Sequence, residues 1–361
     1  MKKNLLNFLV CPDCGGNLNL NIFKEENLET KEGVLLCECG QFFPVVNFIP
    51  RMLTGDLRGM LYEQFPDFFL EYDNLLPKEK KDFQIKKEAQ KKKETSNSFA
   101  YEWEKFSEMI KEWKENFDFY FQPLKNTDYL KDKIILEVGC GKGRHTFYAS
   151  KLAKEIVAVD LGKAVDVAFL NNKNLSNIYF VQADIYNLPF KNNFFDLVFS
   201  IGVLHHLPTP EQGFRKLVNV LKNSGDILIY VYHSFEKGTF KYYLLKCANF
   251  FRQFTTKISH KILYALCYPV AFLTFLIFIL PQKIFFGRRK KSNWPFAGYV
   301  GYPFSVILND TFDRFSAPIE NRYSKEEILQ WYQRAGLKDI KILGGSGWRL
   351  LGNKDFDLIL K

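Results

Sequence analysis

Short apolar runs alternate with stretches of helical character along the middle of the chain, between residues 130 and 233. The runs at 134–136 and 156–159 contain no polar residue, which is typical of parallel strands that are buried on both faces. This alternation predicts an α/β fold built on a parallel sheet. We expect strands at about 133–138, 155–160, 178–182, 195–200 and 226–232, and helices near 144–152, 163–172 and 211–222.

A further helix and strands are predicted near the end of the sequence, after a long insertion. Ser324 and Glu327 have the spacing of a capping box, which predicts a helix over 324–335, and Gly336 is suited to end it. Two strands that complete the sheet are expected near 338–343 and 355–360.

A glycine-rich turn follows the first strand of the core. Gly139, Gly141 and Gly143 let the backbone turn sharply under a ligand before a helix begins at about residue 143. Asp160 ends the next apolar run, 21 residues after Gly139, where it would present a carboxylate to ribose hydroxyls. The glycine-rich turn and Asp160 together predict a nucleoside site, although a tight connection between a strand and a helix would produce the same turn.

Further motifs follow this turn in order along the chain. The full series is Glu137-x-Gly139-x-Gly141-x-Gly143, Asp160, Ala183-Asp184, Phe195-Asp196-Leu197-Val198 and Val203-Leu204-His205-His206-Leu207. With these motifs the chain resembles class I S-adenosylmethionine-dependent methyltransferases, and among them the branch of the ubiquinone and menaquinone C-methylases. Nucleotide-dependent dehydrogenases share the first turn, but Glu137 would repel a pyrophosphate and suits a sulfonium amino acid. The resemblance implies a Rossmann-like sheet of seven strands that finishes as a hairpin, with the last strand antiparallel.

The resemblance also implies a cofactor site at the carboxyl ends of the strands. Glu137 would lie under the amino group of S-adenosylmethionine, Asp160 would bind the ribose, and Asp184 would face the adenine amine. Each acid has a structural alternative: Glu137 as an exposed strand end, Asp160 as a helix cap and Asp184 as a turn residue. The expected cofactor-binding residues are Glu137, Gly139, Cys140, Gly141, Gly143, Asp160, Leu161, Ala183, Asp184, Ile185 and Ser200.

Three side chains are candidates for catalysis. Methyl transfer from a sulfonium chiefly needs alignment and exclusion of water, and a base is useful only if the acceptor loses a proton. His205 and His206 follow the fourth strand, Tyr232 ends the fifth, and imidazole is suited to proton removal near neutral pH. The catalytic candidates are therefore His205, His206 and Tyr232, with a structural role for both histidines as the alternative.

Four of the seven cysteines form two close pairs near the start of the chain. Cys11 and Cys14 are the first pair, and Cys37 and Cys39 are the second. Four thiolates fit a closed tetrahedral zinc site, which stabilises a small fold and leaves no position open for catalysis. Residues 41–53 then resemble the end of Trm112-like zinc ribbons, which occur alone and fused to methyltransferases. The second pair departs from that family, because one residue separates its cysteines where two are usual; a ribbon that folds without zinc is the alternative.

These patterns divide the chain into five parts. The segment before the core is rich in Lys and Glu and is expected to be a solvated linker or a surface helix. An amphipathic helix just before the first core strand is expected to pack on the sheet. The resemblance to methyltransferases implies that such a helix covers the cofactor pocket, which makes Tyr101 and Trp103 candidates for its lining. The predicted parts are a Trm112-like zinc ribbon at 1–54, a linker at 55–97, a methyltransferase core at 98–232, a hydrophobic and basic helical insertion or lid at 233–320, and the C-terminal part of the core at 321–361.

The insertion combines a long apolar run with basic flanks. Residues 262–280 contain no charge over nineteen positions, which is long enough to be a membrane-span candidate. A single crossing is excluded because the strands before and after it must share one sheet, and Pro269 and Pro281 are expected to break the run. Residues 237–291 hold eleven Lys or Arg and no Asp or Glu, and anionic lipid attracts such segments. We expect an interfacial segment on the cytoplasmic face of a membrane, with a soluble lid over the active site as the alternative.

Three functions are compatible with these patterns. The chain has 361 residues and a net charge of +10, and its cysteines outside the ribbon fit reduced thiols in a cytoplasm. The favoured function is methyl transfer to a small-molecule or lipid-linked acceptor, with peripheral membrane contact. RNA methylation is the first alternative, but outside 237–291 the chain has 39 basic and 40 acidic residues, so nucleic acid is not the expected substrate. A non-catalytic scaffold whose ribbon binds a partner is the second alternative.

Overall fold

A computed structural model describes residues 1–79, 85–124, 127–287 and 294–355 and contains two sheets. The first sheet is an antiparallel meander at the N-terminal end, in the order β1-β2-β3-β4. Its strands are β1 (Leu18–Glu26), β2 (Glu29–Cys37), β3 (Phe42–Val46) and β4 (Ile49–Pro50).

Residues 55–97, which were predicted to form a linker, contain helices that pack on this meander. Phe65, Phe68 and Phe69 share one buried cluster with Val34 and Phe42 of the first sheet. The helices up to the core are α1 (Gly59–Gln64), α2 (Pro66–Glu71), α3 (Lys87–Lys105) and α4 (Trp113–Phe121).

The Lys- and Glu-rich segment, for which a solvated linker or a surface helix is predicted, continues into α3, and the buried face of this helix is not apolar. The residues of α3 that are buried are mostly small or polar, so the sequence lacks the apolar repeat that usually indicates a helix. They are Ala89, Thr95, Ser96, Ser98 and Glu102.

The second sheet has seven strands in the order β10-β11-β9-β8-β5-β6-β7, and this arrangement confirms the predicted fold class. β11 is antiparallel to both of its neighbours, and the other pairs are parallel. The strands are β5 (Ile134–Val138), β6 (Glu155–Asp160), β7 (Ile178–Gln182), β8 (Phe195–Ile201), β9 (Leu221–Val231), β10 (Lys338–Leu343) and β11 (Trp348–Asn353). The helices between the parallel strands are α5 (Arg144–Ser150), α6 (Ala164–Asn172) and α7 (Pro210–Val220).

The final strand lies earlier in the chain than the sequence indicated. The predicted strand at 355–360 falls almost entirely outside the described residues, and β11 fills the place between β9 and β10. Arg349 and Gly352 made this segment a poor strand candidate. In the structure, the Arg349 guanidinium donates to the carbonyl of Phe119 at 2.6 Å, and Gly352 lies against the ring of Tyr332, where a Cβ atom would be 2.6 Å from Cδ1.

The insertion between β9 and the end of the sheet is helical. Its helices are α8 (Phe240–Thr255), α9 (His260–Thr274), a π-helical turn (Phe275–Ile279), α10 (Leu280–Phe286) and α11 (Phe304–Ser316). The helix α12 (Lys325–Arg334) follows, and the predicted capping box of Ser324 and Glu327 is present at its start.

Pro269 and Pro281 do not break the apolar run, contrary to the prediction. The chain is helical without interruption over His260–Phe286, with Pro269 inside α9. The π-helical turn directly precedes Pro281, and such a turn relieves the clash between a proline ring and the preceding helical turn. By length and composition alone this helix, with a hydropathy of 2.4, could cross a membrane, and 22% of its most apolar window is buried.

The N-terminal sheet is attached to the edge of the seven-stranded sheet. Arg51 forms a parallel bridge with Gln182 at the end of β7, and the N–H of Met52 donates to the carbonyl of Gln182 at 2.7 Å. The Arg51 side chain is fully buried, and its two terminal nitrogens lie 2.6 and 2.9 Å from the carboxylate oxygens of Asp166 in α6. This bidentate ion pair joins the N-terminal domain to the core.

We predict that Arg51→Ala lowers the free energy of unfolding by about 3–5 kcal/mol, because it removes the buried guanidinium and leaves Asp166, Gln182 and the carbonyl of Val46 without this donor. Lys114→Ala is the control: Lys114 pairs with Asp118 on the exposed face of α4, and its loss should cost roughly 0.3–0.5 kcal/mol. Urea unfolding of the three proteins measures both values. If the two variants were equally stable, the Arg51–Asp166 pair would not stabilise the contact between the N-terminal domain and the core.

Candidate functional site

A cavity of about 820 Å³ opens at the carboxyl ends of the parallel strands, where open α/β sheets bind ligands. Two parts of its wall differ in origin. The glycine-turn half contains Gly139, Cys140, Gly141, Asp160 and Asp184 from the turns that follow the strands. The insertion half contains Glu102, Tyr120, Tyr232, Asn309, Asp310 and Asp313, three of which belong to α11.

Two glycines of the turn after β5 have no room for a side chain. Gly139 and Gly141 have positive φ angles of 82° and 53°. A Cβ atom at Gly139 would lie 2.1 Å from Cγ2 of Val203, and one at Gly141 would lie 2.8 Å from Nε1 of Trp103. Trp103 therefore covers the turn, as predicted, whereas Tyr101 packs in the cluster of the insertion.

Asp160 links the turns that follow β5 and β6. Its carboxylate accepts a hydrogen bond from the N–H of Gly141 and another from the N–H of Gly162, both at 3.0 Å. Burial raises the pKa of Asp160 above its ordinary value, and the two backbone donors oppose that rise by stabilising the charged form.

Asp184 is paired with a lysine that the sequence analysis did not single out. Lys92 of α3 donates to Oδ2 of Asp184 at 2.6 Å, and Oδ1 accepts from the N–H of Tyr186 at 3.2 Å. Asp184 is buried, so this ion pair fixes α3 across the predicted adenine end of the cavity.

Four of the predicted site residues do not line the cavity. Glu137 lies beneath the turn, where Thr146 donates to its carboxylate and burial raises its pKa to about 8. Ser200 uses its hydroxyl to bond the carbonyl of Val138 at 2.8 Å, between β8 and β5. Gly143 begins α5 in a left-handed conformation, and His205 lies behind Tyr232, with ring centroids 3.9 Å apart.

The predicted residues that do line the cavity extend across both halves. They are Gly139, Cys140, Gly141, Asp160, Leu161, Ala183, Asp184, Ile185, His206 and Tyr232.

His206 is the candidate base that reaches the cavity, and its Nε2 has no hydrogen-bond partner in the part of the chain that the structure describes. Its Nδ1 lies 2.6 Å from the carbonyl oxygen of Ile319. Because a carbonyl only accepts, Nδ1 carries the proton and Nε2 is left with a lone pair. Tyr232 is different: burial raises the pKa of its hydroxyl well above the ordinary value, so it remains a neutral phenol near pH 7.

The sequence analysis missed most of the insertion half. Asp310 and Asp313 lie one helical turn apart on α11, and Glu102 faces them from α3. A detectable signal was the pair of acids at helical spacing beside the apolar residues Ile307 and Phe312.

The four cysteines near the N-terminal end come together as predicted. Their sulfur atoms all lie within 4.8 Å of one another, with Cys11 3.8 Å from Cys39 and Cys14 3.4 Å from Cys37. Four Zn–S bonds of about 2.3 Å in a tetrahedron separate the sulfurs by about 3.8 Å. The short spacing of the second pair therefore does not prevent a tetrahedral set.

Known protein families match two separate segments of this chain. Residues 136–229 match the family of methyltransferase domains, and residues 2–47 match the family of Trm112p-like proteins. A solved complex that contains the Trm112 methyltransferase activator of Haloferax volcanii is 12% identical, with a TM-score of 0.41, over 72% of this chain and 99% of that one.

Curated relatives match a smaller part. The chain is 30% identical over 126 residues to a tRNA U34 carboxymethyltransferase of Aliarcobacter butzleri, which covers 34% of this chain and 40% of the relative. It is 34% identical over 112 residues to the enzyme of the same name from Campylobacter fetus, which covers 30% of this chain and 40% of the relative. The chain thus spans less than half the length of these relatives. The predicted resemblance is confirmed for these two segments: residues 136–229 match the methyltransferase domain family, and residues 2–47 match the Trm112p-like family.

Proposed function

We propose that this protein transfers a methyl group from S-adenosylmethionine to RNA. The observation that carries the proposal is its similarity, at 30–34% identity, to enzymes named for a tRNA uridine, combined with basic residues of α8 in the wall of the cavity. Lys241 and Arg252 of α8 line that wall, and they belong to the stretch of eleven basic residues that contains no acid.

The expectation of a small-molecule or lipid-linked acceptor is wrong, because five relatives are named as tRNA-modifying enzymes. The exclusion of nucleic acid was also wrong. That expectation depended on the balance of charges outside the insertion. The basic side chains that border the site belong to α8, which lies inside the insertion. Phosphates are attracted by such a wall. The expected membrane contact finds no support among these relatives, and a cytoplasmic location suits an RNA substrate.

The glycine-turn half has the polar groups that a nucleoside cofactor requires. Asp160 would bind the ribose, Leu161 and Ile185 would flank the adenine, and Asp184 would accept from the adenine amine once Lys92 moves aside. Gly139 and Gly141 allow the left-handed turn that would carry the backbone past the methionine part. When bound, S-adenosylmethionine supplies an electrophilic methyl group on a sulfonium.

The residues of this chain would contribute alignment and a proton acceptor. Holding the two reactants in line and excluding water is worth roughly 7–11 kcal/mol of the barrier. Nε2 of His206 would take the proton that the acceptor loses, while its Nδ1–H remains bonded to Ile319. Tyr232 would orient the acceptor as a neutral phenol, and His205 would support Tyr232 from behind.

The cysteine cluster would hold a structural zinc ion. Cys11, Cys14, Cys37 and Cys39 supply four thiolates, which leave no open coordination position, so the ion would stabilise the N-terminal domain and take no part in transfer.

We predict that the protein binds S-adenosylmethionine and that Asp160→Ala weakens this binding about 10- to 100-fold. A hydrogen bond to a charged group is worth about 1.5–3 kcal/mol, which corresponds to that range. Ser200→Ala should bind normally, because Ser200 lies outside the cavity. Titration calorimetry measures all three proteins. Binding of NAD in place of the sulfonium, or full affinity in Asp160→Ala, would refute the assigned site.

We predict that the protein binds tRNA and that Lys241→Gln weakens this binding at every sequence and lowers the slope of log K against log salt by about one. Lys24→Gln on β1 is the control, because it removes an exposed charge far from the cavity. Fluorescence anisotropy at several salt concentrations measures the slopes. If Lys241→Gln and the wild type had equal slopes, Lys241 would not contact RNA phosphates, and α8 would not be part of the RNA site.

We predict one zinc ion per chain, lost when Cys37→Ser removes one of its four ligands. Cys247→Ser, which changes an exposed cysteine of the insertion, should retain the metal. Elemental analysis after gel filtration, together with thermal unfolding, checks both. Wild-type protein that contains no zinc but unfolds at the same temperature with and without added metal would contradict a structural site.

A further inference from the structure

The insertion half of the cavity contains carboxyl groups that have no cation partner. Glu102, Asp310 and Asp313 all line it, and none has a Lys or Arg nitrogen within 4.0 Å among the residues that the structure describes. Asp310 and Asp313 accept from the hydroxyls of Tyr299 and Tyr232, at 2.6 and 3.4 Å.

The arginines that line this part of the cavity form no ion pair with the three carboxyl groups among the described residues. Arg252 and Arg322 both pair with Glu320, at 2.7 and 2.9 Å, so they neutralise that acid and leave the other three. Arg144 stacks on Trp113, with its guanidinium carbon 4.7 Å from the ring centroid, and forms no ion pair among the described residues. Among the described residues, the three carboxyl groups therefore have no ion-pair partner.

Several acceptor atoms of this half are buried without a hydrogen bond among the described residues. Glu102 is 1% exposed and its Oε2 has no donor; Asn309 is 5% exposed and its Oδ1 has none. Oδ1 of Asp313 is also without a partner. An unsatisfied buried polar atom is costly, so a cluster of them on one cavity wall indicates a ligand that supplies donors.

We propose that the insertion half binds a nucleobase that carries an exocyclic amino group, which means adenine, cytosine or guanine and not uracil. This inference rests on the proposed transfer to RNA and adds the class of base. An amino group offers two N–H donors to the oxygens of Glu102, Asn309 and Asp313. Uracil has one N–H and two carbonyls, so it offers fewer donors to this set of unpaired oxygen atoms.

The aromatic lining fits the same ligand. Phe99, Tyr120 and Tyr302 line the cavity around these acceptors, and extruded RNA bases stack on such rings. Glu102, Asn309, Asp310 and Asp313 all lie outside residues 136–229, the part that matches the methyltransferase family. The uridine in the names of the relatives therefore does not determine which base enters this half.

The first test identifies the labelled nucleoside. The full-length protein is incubated with methyl-labelled S-adenosylmethionine and RNA from a strain that lacks this protein, and the RNA is digested to nucleosides. We expect the label in adenosine, cytidine or guanosine. Label in uridine alone would overturn this inference and leave RNA methylation standing, whereas no label in any RNA would overturn both.

The second test assigns the base to the acidic wall. Glu102→Gln replaces one acceptor by a donor at constant shape, and it should raise the KM for RNA at least tenfold with cofactor affinity changed less than twofold. Glu104→Gln, on the exposed face of α3, should change neither. Asp310→Asn is a second variant for which we expect the same result, a raised KM for RNA with nearly unchanged cofactor affinity. A loss of cofactor affinity in Glu102→Gln, or an unchanged KM in both variants, would remove this wall from base binding.

Discussion

The hydrogen bonds of Asp160 are the constraint around which the site is built. The side chain accepts from the turn after β5 and from the turn after β6, so the two loops that form the glycine-turn half cannot move independently. Both donors are backbone N–H groups, and the second loop leads directly into α6. The position of α6 therefore matters, and Arg51 fixes it from the N-terminal domain through Asp166. A change in that domain can thus reach the cofactor side of the cavity through one helix.

The core could be predicted closely because its signals are local. Buried parallel strands are continuous apolar runs, and the acids and glycines that follow them occupy the strand ends whatever the rest of the chain does. The observed starts of β5, β6, β7 and β8 agree with the prediction to within one residue. The capping box of α12 is equally local, since both of its hydrogen bonds join residues three positions apart.

The remainder depends on contacts that a single sequence does not reveal. α3 buries small and polar residues because it crosses a polar cavity, so it resembles a solvated linker in sequence. β11 contains Arg349 and Gly352, which are unusual in a buried strand. Arg349 fits there because it donates to the carbonyl of Phe119 in α4, and Gly352 is needed because it lies against the ring of Tyr332. The acceptor was misjudged for a similar reason: the insertion is apolar along α9 and α10, yet the part that borders the cavity is the basic α8 and the acidic face of α11. Glu137 and Ser200 occupy the expected strand positions, but their side chains turn toward α5 and β5.

The central claim is that a cofactor and an RNA base meet in one cavity between the glycine turn and the insertion. Hydrogen–deuterium exchange of the full-length protein, alone, with S-adenosylmethionine, and with cofactor product plus tRNA, tests it most directly. The account predicts that the cofactor slows exchange in the turns after β5, β6 and β7, and that tRNA adds protection in α8, α11 and the second half of α3. Protection by tRNA confined to the N-terminal sheet, with α8 and α11 unchanged, would contradict it.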